Sequence, residues 1–360
     1  MVKSILFLIP YPAGQAPSQR FRFEQYLSAL RNAGVSVTLQ SFWNESTWNI
    51  LYKRNQTVRK SFGFLLGKLK RIAGLFSLHR HDFVFIHREV LPVGPPVLEW
   101  MIAKVFRKKI IYDFDDAIWL PNTSESNQFV SAFKWHGKVK SICRWSYKIS
   151  CGNEYLAHYA SQFNTRVVLN PSTIDTEQLH NPSLFETQPE RPLTIGWTGS
   201  HSTLSYLREF QPVLKWLEEN VTVEFRFLVI ADQAPSIEFK SIEYLPWKKE
   251  TEIEDLMKID IGIMPLVDDE WAKGKCGFKI LQYMALGIPT VASAVGVNSK
   301  IINHGENGFL CNHADDWKKH LGSLIASQEL RLRIGNAGRK NVVENYSVSS
   351  NTDNFLSLFE

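Results

Sequence analysis

Short, almost wholly apolar runs recur along this chain, each ending in turn residues and then giving way to a stretch of helical spacing. SILFLI (4–9), FVFIHRE (83–89), KKIIYDFDD (108–116) and VVLNPS (167–172) occupy the first half. LTIGW (193–197), VEFRFLVI (223–230), IEYL (242–245), DIGIMPL (260–266) and PTVAS (289–293) occupy the second. A strand without polar alternation is buried on both faces, the condition of a parallel strand covered by helices on each side. The pattern therefore predicts an α/β protein with doubly wound parallel sheets.

The alternation is interrupted once, by polar, proline-containing sequence between Pro171 and Pro192. With 360 residues, one core rarely organises the whole chain. We expect a first Rossmann-like domain over 1–175, a linker over 176–192, a second over 193–340, and a C-terminal helix, 341–360, returning to the first domain. Two such domains bring the C-terminal ends of their strands to a common cleft, where open α/β sheets bind ligands.

Charge separates the two halves. Residues 1–170 hold 23 Lys and Arg against 10 Asp and Glu, a balance of +13, while 171–360 hold 18 against 26, a balance of −8. The basic half suits a polyanion or an anionic surface. At 44% hydrophobic and 21% charged residues, disorder is excluded. No run near the start reaches the roughly 18–20 apolar residues of a spanning helix, and the first run is too short for a signal peptide. The four cysteines form no C-x-x-C pair, which fits a reducing compartment. A cytoplasmic protein, peripheral on the inner face of a membrane, is the expectation.

Two stretches of the second half could hold a phosphate. In TIGWTGSHST (194–203) a strand turns through Gly199 into a helix with Ser200, Ser202 or Thr203 as its N-cap. Such a turn presents backbone N–H groups at a positive helix end; the alternative is a capped turn and nothing more. G-x-G-x-x-G is absent, which weighs against a dinucleotide-dependent dehydrogenase. In PLVDDEWAKGKCGFKILQYMALGIPTVAS (265–293), Lys275 and Lys279 stand at the approach to a helix and could oppose a diphosphate. A solvated charged loop is the plainer reading.

Residues 260–310, from DIGIMPL through KCGFKILQYMALGIPTVASAVGVN to GENGFL, resemble the donor-nucleotide region of family 4 (group 1) glycosyltransferases of the GT-B fold. LNPSTIDTE (169–177) and the helical tail extend the resemblance weakly over nearly the whole chain. It implies two facing Rossmann-like domains with C-terminal helices packed back on the first. The implied activity is transfer of a sugar, with retention, from a nucleotide-sugar donor to a glycan or lipid-linked acceptor in polysaccharide or cell-surface glycan synthesis. No cofactor and no metal are implied.

The family's E-x7-E pair is missing. Placing QYMALGIP on the family's E-A-M-A-x-G-x-P puts Gln282 at the second Glu and Gly274 at the first. Gln282 retains an amide for a ribose hydroxyl, whereas Gly274 has no side chain, so Asp268, Asp269 or Glu270 would have to meet the sugar. By the same resemblance Trp247 lies where the base is held, and Gly296, Val297 and Asn298 belong to a loop lining the donor sugar. The departures mark a divergent branch and leave two further readings. One is a sugar-nucleotide epimerase or hydrolase of similar fold, and the other a non-catalytic nucleotide-sugar-binding relative.

In the first half, YDFDDAIW (112–119) places Asp115 and Asp116 at a strand end. The resemblance puts Asp115 at the family's His and Asp116 at its Asp, both facing the cleft, and an active-site role is expected over metal binding. Pairing with Arg20 or Arg22 is the structural alternative. Arg20 and Arg22 lie where the first strand feeds its helix, and His87 and Arg88 end the FVFIHRE strand, so these four are assigned to the acceptor or diphosphate side. From Ser46 to His81 there are eight Lys and Arg and no Asp or Glu, while Phe62, Leu65, Leu69, Ile72 and Phe76 recur at helical spacing. Lys53 to Arg80 thus suits an anionic membrane surface, although the same stripe would serve a helix packed on a sheet. With no recognised module in it, nucleic acid is not an expected partner.

Overall fold

A computed structural model describes residues 4–51, 53, 55–121, 135–186 and 191–360. The chain divides into two units, Met1–Ser172 with Asn351–Glu360, and Thr173–Ser350. The stretch expected to be a linker lies within the second unit, and its residues 187–190 are outside the described set.

The first unit is built on six parallel strands, β1 (Ser4–Ile9), β2 (Ser36–Ser41), β3 (Phe83–His87), β4 (Lys109–Phe114), β5 (Lys148–Cys151) and β6 (Val167–Leu169), in the order β2-β1-β3-β4-β5-β6. Ile5 to Ile9 are all buried, as an interior strand requires, whereas edge strand β2 alternates toward solvent. Helices α1 (Leu27–Asn32), α2 (Thr57–Leu75), α3 (Lys138–Trp145) and α4 (Glu154–Ser161) connect or flank these strands. Asn153 caps α4, its side chain accepting from the Leu156 N–H at 2.9 Å.

An aromatic core of Phe7, Phe23 and Phe85 is completed from the end of the chain. Phe355 stacks on Tyr26 with ring centroids 4.4 Å apart, and Phe359 meets Phe83 edge-on at 5.8 Å. Each such ring, fully buried, is worth about 1.5–3 kcal/mol. That burial explains why the tail belongs to the first unit.

The register across the sheet fixes a polar row. His87 pairs with Asp113, and Asp113 with Ser150, so three polar side chains from β3, β4 and β5 fall side by side near the strands' C-terminal ends.

The second unit repeats the plan with β7 (Leu193–Gly199), β8 (Phe225–Ala231), β9 (Ile242–Pro246), β10 (Ile261–Met264), β11 (Thr290–Ser293) and β12 (Phe309–Cys311). Their order, β12-β11-β10-β7-β8-β9, is the Rossmann order counted from β7, with its switch point between β7 and β10. Helices α5 (Ser205–Asn220) and α7 (Ala314–Ala326) bury Leu207, Phe210, Leu214, Trp317 and Leu321 with Ile195, Trp197 and Phe227. Tyr283 of α6 (Phe278–Ala285), with Leu286 and Ile288, packs against Leu228 and Ile230.

Two glycines make room for that packing. Gly196 and Gly262 are register partners on β7 and β10, and a Cβ on either would lie 2.3 Å from the Ile259 side chain or 2.5 Å from the Tyr283 ring. Tyr283 lies against the sheet, and its hydroxyl accepts from the Thr198 N–H at 2.8 Å. Helix α8 (Gln328–Asn345) covers α6, and α9 (Val348–Leu356) leads into the tail.

Candidate functional sites in the two units

In the first unit the row at the strand ends is a buried charge network centred on Asp113, not on Asp115 or Asp116. Asp113 is fully buried and accepts hydrogen bonds from Arg22 at 2.5 Å, from Ser150 Oγ at 2.6 Å and from His87 Nδ1 at 2.8 Å. Arg22, 1% exposed, also donates to the Asn170 carbonyl and to Ser150 Oγ at 3.2 Å. Burial pushes the Asp113 pKa up, but Arg22 and His87 outweigh it, and the carboxyl is held well below the ordinary range. Arg22, expected to reach a diphosphate or anionic acceptor, is thus occupied inside the domain. His87 is enclosed as well, leaving its Nε2 buried without a hydrogen-bond partner.

Asp115 and Asp116 are claimed by Arg88. Its guanidinium donates to Asp115 Oδ1 at 2.8 and 2.9 Å and to Asp116 Oδ2 at 2.8 Å. Arg88 is thus an Arg partner of both carboxylates. Burial works against the Arg88 charge, and the two aspartates overcome it, raising its pKa. Arg88 has a φ of +63°, a conformation disfavoured for a side-chain-bearing residue. It is held there by its N–H donating to the Asp113 carbonyl at 2.8 Å and by the Tyr112 hydroxyl donating to its own carbonyl at 2.8 Å. The cluster is partly exposed and sets one cation against two carboxylates, which suits hydrogen bonding to hydroxyl groups better than capture of an anion. Arg20 lies over the Phe21 ring at 4.9 Å.

In the second unit the turn expected to cradle a phosphate lies at the switch point as a capped turn, with the Ser200 N–H donated to Thr203 Oγ1 at 3.2 Å. β7 ends at Gly199, where a Cβ would lie 2.2 Å from the Trp197 ring and 2.8 Å from Thr203 Oγ1. Ser200 and Thr203 make a reciprocal capping box, and the His201 N–H and ring both bond Asp232 at 2.6 Å. Across the switch point, Gly277, with φ +67°, starts α6 and puts Lys279 in its first turn. Lys279 Nζ lies 5.5 Å from the centre of the Trp197 ring, so the cation sits over β7 just before the Gly199 turn. Lys275 Nζ is placed over Trp271 at 5.8 Å. Lys279 and the turn are thus both next to Trp197, while Lys273 is occupied by Glu270 and Asp268 at 3.0 and 3.6 Å.

Other residues are placed differently from their assignments. Gln282 is 2% exposed, and its amide donates to Glu252 Oε1 and contacts His180 Nε2, both at 3.3 Å. A ribose hydroxyl would have to displace those partners. Trp247 is half-buried against the cluster of Leu228, Ile230 and Tyr283, with its N–H on the Ala231 carbonyl at 2.8 Å. In the loop after β11, Gly296 is exposed with φ +56°, and a Cβ there would sit 3.1 Å from the Lys273 backbone. Val297 is half-buried beside it, and Asn298 is buried, donating to the Ser293 carbonyl at 3.0 Å. Gly296 and Val297 therefore form an accessible backbone surface, and Asn298 holds it in place.

A cavity of about 300 Å³ lined by Arg107, Lys109, Tyr147 and Arg166 lies at the opposite, N-terminal ends of β4 and β5. Parallel sheets bind their ligands at the other edge. Among the described residues, no three His, Cys, Asp or Glu side chains converge as metal ligands. The four cysteines are buried and form no disulfide, and burial pushes the Cys143 thiol up to about 12.

The architecture is shared with solved structures across nearly its whole length. Sucrose-phosphate synthase from Thermosynechococcus elongatus superposes with a TM-score of 0.69 over 99% of this chain and 98% of that one, at 12% identity. The fold is GT-B. A second GT-B structure, Anabaena Alr3699/HepE in complex with UDP and glucose, gives a TM-score of 0.61 at 13% identity over 99% of each chain. Residues 236–341 match the family described as glycosyl transferases group 1. That stretch runs from before β9 into α8 and includes Lys275, Lys279 and Gln282. Spore coat protein SA of Bacillus subtilis (strain 168) is 30% identical over 80 residues, 21% of this chain and 21% of that protein. The chain matches about a fifth of the length of such curated relatives.

Sequence reasoning placed Asp113 in a carboxylate cluster with Asp115 and Asp116 without singling it out, and it missed Ser150 and Asn170 in the first unit and Asp232, Glu252 and His180 in the second. Asp113 stands two residues before Asp115 in the same motif, and only the register with β3 and β5 singles it out. Glu252 is 30 positions from Gln282 and carries no local signal.

Proposed function

We propose that this protein is a glycosyltransferase that takes its sugar from a nucleotide-activated donor bound by the second unit. The observation that carries the reading is the group 1 match over 236–341, in a unit whose β7/β10 switch point holds a glycine turn and Lys279. The HepE structures with UDP, glucose and UDP-glucose support a donor of the nucleoside-diphosphate sugar class.

In the proposed reaction the bond between the anomeric carbon and the diphosphate oxygen breaks, and a bond from that carbon to an acceptor hydroxyl oxygen forms. The hydroxyl proton leaves with the departing diphosphate. Lys279, assisted by Lys275, opposes the charge that grows on that leaving group. Approach of the hydroxyl from the leaving group's own face gives retention, and no metal is required because the Lys side chains provide the counter-charge. Gly296 and Val297 offer backbone to the donor sugar, and Trp247 presents a partly exposed ring to its base. The first unit takes the acceptor, a glycan or a lipid-linked glycan, whose hydroxyls the Arg88, Asp115 and Asp116 cluster can bond.

The test is a thermal-shift panel of nucleotides and nucleotide-sugars, followed by transfer assays with the donor that binds. Lys279→Ala is expected to lower kcat/KM about 100-fold with little change in melting temperature of the free protein. No shift with any nucleotide, or a Lys279→Ala enzyme as active as the parent, would overturn the reading. Donor turnover that persists without any acceptor and never yields a glycosylated product would assign a hydrolase or epimerase instead.

A further inference from the structure

Helix α2 is packed the wrong way round for a helix that merely covers a sheet. Its buried residues are Gly63, Gly67, Arg71 and Leu75, while Phe62, Leu65, Leu66, Leu69, Ile72 and the following Phe76 are exposed, Phe62 by 62% and Phe76 by 77%. The inner face is made of small residues because the helix lies directly on the chain beneath it. A Cβ at Gly63 would lie 2.3 Å from Thr47 Oγ1, and one at Gly67 2.7 Å from the Phe42 carbonyl oxygen. Arg71 then fastens the helix inward. It donates to the carbonyls of Ile9 at 2.7 Å, Gln40 at 2.6 Å and Val90 at 3.2 Å, joining α2 to the ends of β1 and β2.

With the inner side settled, the outward stripe is left to solvent. At 100° per residue the six exposed apolar side chains fall within about 120° of arc, flanked by Lys68 on one border and by Arg59 and Lys70 on the other. From Phe62 to Phe76 the stripe is about 21 Å long. No acidic residue occurs between Ser46 and His81; Arg54 in that stretch lies outside the described residues. An apolar patch of this size bordered only by cations marks a docking face. The charge pattern decides what docks. A second copy of this chain would bring a like-charged border against this one, whereas an anionic lipid surface offers negative headgroups to the Lys and Arg and an apolar interior to the stripe.

We propose that the outward face of α2 seats this protein on an anionic lipid bilayer, with Phe62, Leu65, Leu69, Ile72 and Phe76 entering the headgroup boundary and Arg59, Lys68 and Lys70 meeting lipid phosphates. The helix lies in the surface and does not cross it. Among the described residues no helix is long and apolar enough to span a membrane.

The test is cosedimentation of the full chain with phosphatidylcholine vesicles, with and without phosphatidylglycerol, in the absence of nucleotide and acceptor. Its outcome therefore stands apart from that of the transferase assay. The parent is expected to bind the anionic vesicles and to dissociate as salt rises. Phe62→Ser with Leu69→Ser should weaken partition about tenfold or more, both sites being exposed and so compatible with folding. Arg59→Gln, Lys68→Gln and Lys70→Gln should each weaken binding to anionic vesicles about fivefold. The charge variants keep the test decisive should the serine variant fold poorly. No binding to either vesicle, variants that bind like the parent, or self-association lost in the serine variant would overturn the proposal.

Discussion

Replacing Asp113 with Asn tests whether the buried network, rather than the exposed aspartates, organises the first unit. Asn keeps the shape and one acceptor oxygen but leaves the Arg22 guanidinium, 1% exposed, without its anion. Removing one member of a buried pair costs about 3–5 kcal/mol, because the remaining charge is neither solvated nor neutralised. In a unit of about 180 residues each kcal/mol moves the melting temperature by about 2–4 °C, so the first unit should melt about 6–20 °C lower. Scanning calorimetry measures the change, and hydrogen exchange over β4 assigns it to the first unit. Arg22→Met should cost a similar amount, while Arg22→Met with Asp113→Leu should recover much of the loss. The acid limb gives a second reading. Burial would raise the Asp113 pKa, but Arg22 and His87 lower it overall, so its contribution is fully present above about pH 4 and fades as pH falls through the lowered value. In Asp113→Asn that part of the acid sensitivity should disappear. A variant within about 1 kcal/mol of the parent, or an unchanged acid limb, would refute the argument.

Three other substitutions have signs set by the packing. Gly67→Ala, which in an open helix would gain about 1 kcal/mol, should instead destabilise by about 1–2 kcal/mol in urea unfolding, since its methyl would meet the Phe42 carbonyl. Tyr283→Phe removes the acceptor of the buried Thr198 N–H and should cost about 1–3 kcal/mol, together with faster exchange of that amide. Gln282→Glu puts a second carboxylate 3.3 Å from Glu252, so burial and like charge raise its pKa in the folded state. Its cost should be larger at about pH 8 than at about pH 5, as melting temperatures across that range will show.

The long apolar strands were legible because parallel packing demands continuous hydrophobicity, which is why β1, β3, β4, β7 and β10 stand out in the sequence. Strands β5 and β12 did not. They have four and three residues, and β5 includes Lys148 and Ser150, so their extended form depends on neighbours already in place. The site followed the same division. The Gly199 turn and the start of α6 are local features of glycine and capping residues, and both could be read. Which of Asp113, Asp115 and Asp116 is buried depends on strand register, and which of Arg20 and Arg22 points inward depends on the turn that precedes α1. Neither is encoded in spacing alone. The stripe on α2 was visible, but its direction was not, since Gly63, Gly67 and Arg71 became an inner face only through contact with Phe42, Thr47 and the strand ends.

The departure at Gln282 has a structural counterpart. Its amide bonds Glu252 and His180, so at this position α6 carries a packing residue that joins the segment after Thr173 to the helix holding Lys279. Arg339 of α8 completes the attachment by donating to the carbonyls of Ala285, His180 and Thr176. Gly335, one turn earlier, lets α8 approach so closely that a Cβ there would collide with the Gly287 carbonyl. The C-terminal end of α6 is therefore held by Arg339 on the Ala285 carbonyl and by a close helix approach, and its N-terminal end is set by the left-handed Gly277. A helix fixed at both ends holds Lys279 over Trp197. Under the reading proposed above, Gln282 would then serve the transfer through the placement of Lys279, the cation proposed to face the diphosphate, and not through direct contact with a donor.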